Sequence, residues 1–325
     1  MASYKVVVTG RILPSALEVI SRRCAVQRWE EATSIPRELL YEWVKDADGL
    51  FTTGDVRVDD ELLAHAPKLR VISQASVGYD NVDIDACTRR GIPFGNTPGV
   101  LVDATADLAF GLVLCAARRI FEGAAQVRNG AWKNGYDIPY GVDLFGKTLG
   151  IVGMGSIGAA VAKRAQASGM RVIYHNRRKR SDDAVLGTTY SEFDALLESS
   201  DFVLVLAPLT NESRGMFGKE QFARMKPTAY FVNVARGAVV DTDALYEALK
   251  TKQIAYAALD VTDPEPLPGD HPLLTLGNVL ITPHIGSATH ETRHRMALLA
   301  AENLMAGLDG KPLPACVNGS VNYRG

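Results

Sequence analysis

Residues 148–158 read Thr-Leu-Gly-Ile-Val-Gly-Met-Gly-Ser-Ile-Gly. The apolar start predicts a buried strand, the glycines predict a tight turn, and the alanine-rich residues 159–165 predict a helix. A bound pyrophosphate requires this order, because it lies against backbone N–H groups at a helix N-terminus. Gly153 permits the turn, Gly155 lets phosphates approach the backbone, and Gly158 lets the helix close on the strand. The stretch therefore predicts a dinucleotide-binding fold.

Length and composition limit the class of protein. The chain has 325 residues, and single cores stop growing at about 250–300 residues, so two domains are expected. A net charge of −2 gives no reason to expect nucleic acid or an anionic membrane as a partner. Four scattered cysteines without a C-x-x-C pair indicate reduced thiols. With no secretion-signal pattern and no apolar run of about 18 residues, we expect a soluble, cytoplasmic protein.

Strands and helices alternate on both sides of the glycine stretch. A strand at 5–9, a helix at 14–23 and further pairs up to a strand at 69–72 predict an α/β unit that precedes the glycine turn. A helix at 103–119 leads to a polar, aromatic-bearing segment, 128–136, which we expect to be an arm or surface loop. This alternation predicts parallel sheets covered on both faces. The later strands are predicted at 171–174, 202–206, 229–234, 255–259 and 279–282, and the last helix at 289–308.

Three ionisable residues follow predicted strands: Arg236, Glu265 and His284. Ligands of open α/β sheets bind at the carboxyl ends of strands, so these side chains could meet there. A guanidinium that grips a carboxylate, an imidazole that donates a proton and a carboxylate that holds the imidazole would suffice for reduction of a 2-oxo acid. The carboxylate favours the protonated imidazole, and the guanidinium stabilises the developing alkoxide. Each residue alone has an ordinary structural explanation, such as a solvated arginine or a rigid proline-rich turn.

The strand after the glycine turn predicts which cofactor is preferred. Sites for NAD place Asp or Glu about 20 residues beyond the turn, where it accepts from the ribose 2′-hydroxyl. Here that position is Asn176, and Arg177 and Arg178 follow it. A 2′-phosphate would meet no carboxylate, and two guanidinium groups could bind it. We expect a preference for NADPH, with NADH also possible, although a basic solvated turn is the alternative.

Residues 290–294 match H-E-x-x-H, the zinc signature of metalloproteases. On a helix, His290 and His294 would share a face, as zinc binding requires. The nearest carboxylate downstream, Glu302, lies too close in sequence to be the usual third ligand. We therefore expect no metal site.

Several stretches together resemble the D-isomer-specific 2-hydroxyacid dehydrogenases, and the resemblance covers nearly the whole chain. Within that family the sequence is most similar to the glyoxylate/hydroxypyruvate reductases, particularly the bacterial branch that also reduces 2-ketogluconate. The stretches that carry the resemblance are residues 76–81, the turn at Gly153, and residues 233–237, 259–261, 271–274, 283–290 and 316–318.

The resemblance implies two Rossmann-like domains with doubly wound parallel sheets. Residues 101–288 would form a dinucleotide-binding domain inserted into a flavodoxin-like substrate domain of residues 1–100 and 289–325. The resemblance also implies a homodimer that is built through the helix and arm near 103–146.

The resemblance further implies roles for individual residues. His284 would be the acid/base, Glu265 its partner, and Arg236 would bind the substrate carboxylate and carbonyl. The amides of Val77 and Gly78 would hold the carboxylate. The residues expected to contact the cofactor are Gly153, Met154, Gly155, Ser156, Ile157, Gly158, Asn176, Arg177, Arg178, Val234, Asp260, His284 and Gly286.

Two alternatives stay open at this point. Another dehydrogenase of the same family, acting on phosphite or 3-phosphoglycerate, would share most of these residues. The presence of Arg236, Glu265 and His284 together argues against a formate dehydrogenase. A nicotinamide-sensing corepressor or scaffold could also keep this fold and these residues.

Overall fold

The computed structural model describes residues 4–54 and 56–321. The chain divides into two units. Met1–Leu101 and Ser287–Gly325 form the first, and Val102–Gly286 form the second. Each unit is built on one parallel sheet.

The first unit has a five-stranded sheet in the order β2-β1-β3-β4-β5. This is the doubly wound order of flavodoxin-like folds, in which the first strand lies inside the sheet. Aspartates cap two of its short helices: Asp59 accepts from Leu62 N and Asp83 accepts from Ala86 N. The elements are β1 (Tyr4–Val8), α1 (Pro14–Ser21), β2 (Cys24–Arg28), α2 (Arg37–Val44), β3 (Gly49–Thr52), α3 (Asp60–Ala64), β4 (Val71–Gln74), α4 (Ile84–Arg89) and β5 (Phe94–Gly95).

The second unit begins with two helices and continues as a seven-stranded Rossmann sheet. The elements are α5 (Val102–Arg118), α6 (Ile120–Arg128), β6 (Thr148–Val152), α7 (Ser156–Ala167), β7 (Arg171–His175), β8 (Thr189–Tyr190), α8 (Phe193–Ser199), β9 (Phe202–Val205), α9 (Lys219–Arg224), β10 (Tyr230–Asn233), α10 (Thr242–Lys250), β11 (Tyr256–Leu259) and β12 (Val279–Ile281). Short 3₁₀ turns at Gly237–Val239 and Pro272–Thr275 lie between them.

The strand order in this sheet is β12-β11-β10-β9-β6-β7-β8. The chain order therefore reverses between β6 and β9, which is the point at which open α/β sheets bind ligands. The predicted fold class, two doubly wound parallel sheets, is confirmed.

Both faces of each sheet are buried, as a parallel sheet requires. In β1, Val6 and Val8 pack against α1 and against the last helix of the chain, α11 (His290–Leu308), while Val7 packs with α2, α3 and α4 on the other face. In β6, Leu149 and Ile151 pack with α5 and α7. Because both faces of each sheet are buried, the strands consist mostly of apolar residues.

The chain between α5 and α6 departs from the sequence prediction. The predicted helix 103–119 ends at Arg118, because Arg119 has a left-handed backbone with φ of 53°. Arg119 Nε donates to Glu122 Oε1 (2.9 Å), and Tyr256 OH donates to the same oxygen (2.8 Å). The turn starts α6, an unpredicted helix with no buried residue.

Within residues 4–54 and 56–321, no helix combines the length and the apolar character needed to cross a membrane.

Candidate active site

The glycine turn after β6 has the shape that a dinucleotide requires. Gly153 has φ of 100°, and a Cβ there would lie 2.4 Å from Ala207 N, so no other residue fits. A Cβ at Gly155 would meet no protein atom within 4 Å. In the described part of the chain, the N–H groups of residues 156–158 donate to no other backbone group. These unpaired donors at the start of α7 and the open space before them fit a pyrophosphate.

The side chain of Asn176, directly after β7, is bound to the glycine turn. Its Oδ1 accepts from Met154 N (2.6 Å), and its Nδ2 donates to Met154 O (3.2 Å). Arg180 contacts the same residue, because its Nη1 donates to Met154 O (3.0 Å). Arg177 and Arg178 are exposed. Thus Arg180, which was not among the predicted residues, lies against the turn.

Asp182 holds the Arg180 guanidinium through two hydrogen bonds of 2.7 Å from Nε and Nη2. These hydrogen bonds and the charge of Arg180 hold the pKa of the Asp182 carboxyl below its usual range. The only signal in the sequence for the contact of Arg180 was the run of four basic residues. That run does not reveal which of the four side chains turns toward the glycine turn.

A close approach of two loops positions Arg236, which follows β10. A Cβ at Gly237 would lie 2.0 Å from Thr262 O, so only glycine permits the contact. Asn233 shapes the turn, since its Oδ1 accepts from Ala235 N (3.0 Å) and its Nδ2 donates to Arg236 O (2.9 Å). Arg236 Nη1 donates to Ala235 O (2.8 Å).

Glu265 and His284 form a close pair. The distance between Glu265 Oε1 and His284 Nδ1 is 2.6 Å, and Glu265 Oε2 accepts from Thr262 N (3.2 Å). Burial alone would raise the pKa of Glu265, but the hydrogen bond and charge of His284, the Thr262 amide and the charge of Arg236 together lower it. The carboxylate is therefore ionised at neutral pH and fixes the orientation of the His284 ring through Nδ1.

His284 has a left-handed backbone with φ of 54°, which histidine adopts more often than most residues. Its N–H donates to Asp260 O (2.9 Å). The Asp260 carboxylate is 1% exposed and accepts from Ile285 N (2.9 Å), Gly286 N (2.8 Å) and Thr282 Oγ1 (2.6 Å). Asp260 thus ties down the loop that carries His284.

The remaining predicted residues lie in two places. Val234 is buried at the carboxyl end of β10, and Gly286 is buried beside Asp260. Val77 and Gly78 belong to the first unit, where they follow β4 at half-exposed positions.

The H-E-x-x-H stretch opens α11. Its His294 Nδ1 lies 3.1 Å from Ser15 Oγ. Among the described residues, no group of three or more His, Cys, Asp or Glu side chains could hold a metal ion.

Residues 110–286 match the profile described as D-isomer specific 2-hydroxyacid dehydrogenase, NAD binding domain. The chain belongs to this family. It is therefore an NAD(P)-dependent dehydrogenase that acts on 2-oxo acids.

Named relatives cover this dehydrogenase along nearly its whole length. It is 47% identical over 320 residues to a glyoxylate reductase of Korarchaeum cryptofilum. The aligned region covers 98% of this chain and 96% of the relative. A crystal structure of a Thermus thermophilus protein superposes with a TM-score of 0.91 at 46% identity, over 96% of this chain and 99% of the other. Another solved structure is an NADPH-dependent glyoxylate/hydroxypyruvate reductase of Sinorhizobium meliloti in complex with NADP and malonate. It superposes with a TM-score of 0.89 at 31% identity, and the match covers 100% of this chain and 99% of the other.

In this dehydrogenase, His284→Gln tests the prediction that His284 donates a proton, because glutamine keeps the approximate size of the residue but cannot act as a general acid. We expect kcat for 2-oxo acid reduction to fall by about 10²–10⁴, as is typical for loss of a general acid. The dissociation constant of NADPH should stay nearly unchanged. Steady-state kinetics with a separate fluorescence titration of the cofactor measures both. Turnover of the variant at the wild-type level would show that His284 is not the donor.

Glu265→Gln is the matched companion, since it keeps His284 but replaces the charged partner of His284 Nδ1 by a neutral amide. We expect kcat for 2-oxo acid reduction to fall by about 10–10², because a hydrogen bond to a charged group is lost, while the dissociation constant of NADPH should stay nearly unchanged. A kcat at the wild-type level would contradict the role of Glu265.

Proposed function

We propose that the protein is an NADPH-preferring reductase of glyoxylate, hydroxypyruvate and the longer acid 2-ketogluconate, which it converts to D-2-hydroxy acids. The observation that carries the proposal is the Glu265–His284 pair at 2.6 Å on the carboxyl edge of the Rossmann sheet. Arg236 approaches the same carboxylate closely enough to lower its pKa. A proton donor and a carboxylate-binding cation are the two groups that such a reduction needs from the protein.

The protein residues have separate tasks in this reaction. A nicotinamide cofactor held at the glycine turn would supply the hydride for the carbonyl carbon. Arg236 binds the substrate carboxylate and stabilises the charge that develops on the carbonyl oxygen. His284 gives the proton from Nε2 to that oxygen as the C=O π bond breaks, and Glu265 keeps the imidazole oriented through Nδ1. The products are a hydroxy acid, the oxidised cofactor and a neutral imidazole, which takes up a proton from water.

The two units would take different parts in the reaction. We assign cofactor binding to residues 101–288, which carry the glycine turn, and substrate binding to residues 1–100 and 289–325, which carry the Val77 and Gly78 amides. We expect the enzyme to act in the cytoplasm. The four free cysteines support a reducing compartment.

The substrate range is tested with glyoxylate, hydroxypyruvate and 2-ketogluconate by following NADPH absorbance. The wild type should reduce all three. Arg236→Ala should lower kcat/KM by about 10²–10³, because it removes both a charge-assisted contact and stabilisation of the oxyanion. The exposed Arg224, which lies on α9, supplies the control variant Arg224→Ala. Full kcat/KM on glyoxylate in Arg236→Ala would show that the carboxylate is bound elsewhere.

The contacts at the glycine turn support the NADPH preference. Asn176 occupies the position of the usual acidic residue, so a 2′-phosphate would meet an amide there. Arg177 and Arg178 follow at exposed positions, and their guanidinium groups would bind the phosphate. Arg180 adds a third guanidinium, already held beside Met154.

The double substitution Arg177→Ala/Arg178→Ala should raise the NADPH KM by about 10², because each charge-assisted bond to phosphate contributes about ten- to a hundredfold in affinity. NADH kinetics should be nearly unchanged, since NADH lacks the phosphate. Lys179→Ala is the matched control, as it removes a charge from the same loop but at a side chain paired with Asp183. Equal use of both cofactors by the wild type would refute the preference.

The exposed apolar surface of α6 and the segment after it supports a homodimer. Nine of the fourteen exposed large hydrophobic side chains among the described residues lie between positions 120 and 145. Such a concentration is typical of a protein–protein interface. The nine are Ile120, Phe121, Val127, Trp132, Tyr136, Ile138, Tyr140, Val142 and Phe145.

Phe121→Asp should convert the dimer to a monomer, because an unpaired charge buried at an interface is strongly destabilising. Sedimentation velocity measures the mass in solution. Val185→Asp is the control, as Val185 is 89% exposed but lies outside this segment. A wild type that sediments as a monomer would exclude the homodimer.

A further inference from the structure

Two successive backbone N–H groups, those of Val77 and Gly78, follow β4 at half-exposed positions. Among residues 4–54 and 56–321, neither N–H donates to another protein group. Backbone N–H groups without a protein acceptor persist where water or a ligand takes the hydrogen bond.

The direction of both N–H groups is fixed from the opposite side. Ser76 O accepts from Thr97 N (2.9 Å), and Val77 O accepts from Asn96 Nδ2 (2.9 Å). In a planar trans peptide the N–H points opposite to the C=O of the same unit. The Val77 N–H therefore points away from Thr97, and the Gly78 N–H points away from Asn96. Two successive donors turned to one side form an anion-binding concavity.

The third carbonyl of this loop is also held. Gly78 O accepts from Gln74 Nε2 and from Ser76 Oγ, both at 2.7 Å. Gln74 is fully buried, and its Oε1 accepts from Asn81 Nδ2 (2.9 Å). The loop is thus restrained at three consecutive carbonyls before any ligand arrives.

Asn96 is itself held rigidly. It is 7% exposed, and its backbone O accepts from Asn303 Nδ2 (2.9 Å) on α11. Gly95 makes this approach possible, since a Cβ there would lie 2.8 Å from Asn303 Cγ. Asn303 Oδ1 in turn accepts from Ala315 N (2.9 Å).

We propose that Asn96 is a positioning residue for the substrate carboxylate. By holding Val77 O, its side-chain amide aims the Gly78 N–H at the carboxylate without touching the substrate. This inference rests on the proposed function, in which the Val77 and Gly78 amides bind the carboxylate of a 2-oxo acid. Preorganised donors need no reorientation when the anion binds, which strengthens the contact.

Asn96→Leu and Asn96→Asp test the role, because both keep the approximate shape and neither donates to Val77 O at neutral pH. The probe is oxamate, a non-reducible analogue of a 2-oxo acid, titrated by fluorescence into the enzyme–NADPH complex. Its dissociation constant should rise about tenfold, as expected for one lost hydrogen bond. KM for glyoxylate should rise by the same factor, whereas kcat and the dissociation constant of NADPH should change little.

A purely structural role would lower the fraction of active enzyme, and so kcat, without changing the affinity for oxamate. Asn318→Leu is the matched control, since Asn318 is equally buried and also binds backbone near β5, through Phe94 N and Ile92 O. It should leave the affinity for oxamate unchanged. Unchanged affinity in both Asn96 variants would overturn the inference.

The outcomes also separate this inference from the proposed function. If Arg236→Ala no longer binds oxamate but the Asn96 variants bind it as tightly as the wild type, the proposed function stands and the role of Asn96 fails. If the wild type binds no oxamate and reduces no 2-oxo acid, the proposed function itself fails. Should neither Asn96 variant fold, a crystal structure of the wild type with NADPH and oxamate decides. A carboxylate that does not contact Val77 N and Gly78 N would contradict the inference.

Discussion

The buried carboxylate of Asp260 determines where the His284 side chain lies. It accepts three hydrogen bonds from residues 282–286, and its own backbone O accepts from His284 N. Without these bonds the left-handed backbone of His284 would cost about 1–3 kcal/mol with nothing to offset it. The left-handed backbone of His284 places its imidazole against Glu265. The hydrogen bonds of Asp260, at the end of β11, offset the cost of that backbone conformation. The position of the His284 side chain follows from the parallel pairing of β11 with β12.

The same device recurs at other strand ends of this sheet. Asn233 shapes the turn before Arg236, and Asn176 fixes the glycine turn through Met154. In each case a short polar side chain at a carboxyl end binds backbone groups of a loop. Long functional side chains are then carried by loops whose backbone is already fixed, which limits the entropy lost when a ligand binds.

Much of this arrangement could be predicted from the sequence. The glycine turn and the alternation of apolar segments are local patterns with one dominant interpretation, so they predicted the fold class. Arg236, Glu265 and His284 could be predicted to lie at one edge of the sheet because each follows a predicted strand, and parallel strands bring their ends to one edge.

Other features depended on contacts that are distant in sequence. The inward turn of Arg180 follows from Asp182 and Met154, and nothing in four consecutive basic residues distinguishes it. The helix α6 was missed because its start depends on Arg119, held by Glu122 at a left-handed turn. The bonds from Asn96 to Val77 and from Thr97 to Ser76 join segments about 20 residues apart. Local propensity carries no information about such pairs.

The anchoring of the 76–78 loop through its carbonyls has a consequence for how this enzyme can change over evolution. Every restraint on Ser76 O, Val77 O and Gly78 O reaches the backbone and none uses the side chain of Val77. Mutations at position 77 can therefore change the half-exposed side chain of this loop while the backbone keeps its geometry. A lineage can vary the surface chemistry of the loop without altering the direction of the Val77 and Gly78 N–H groups.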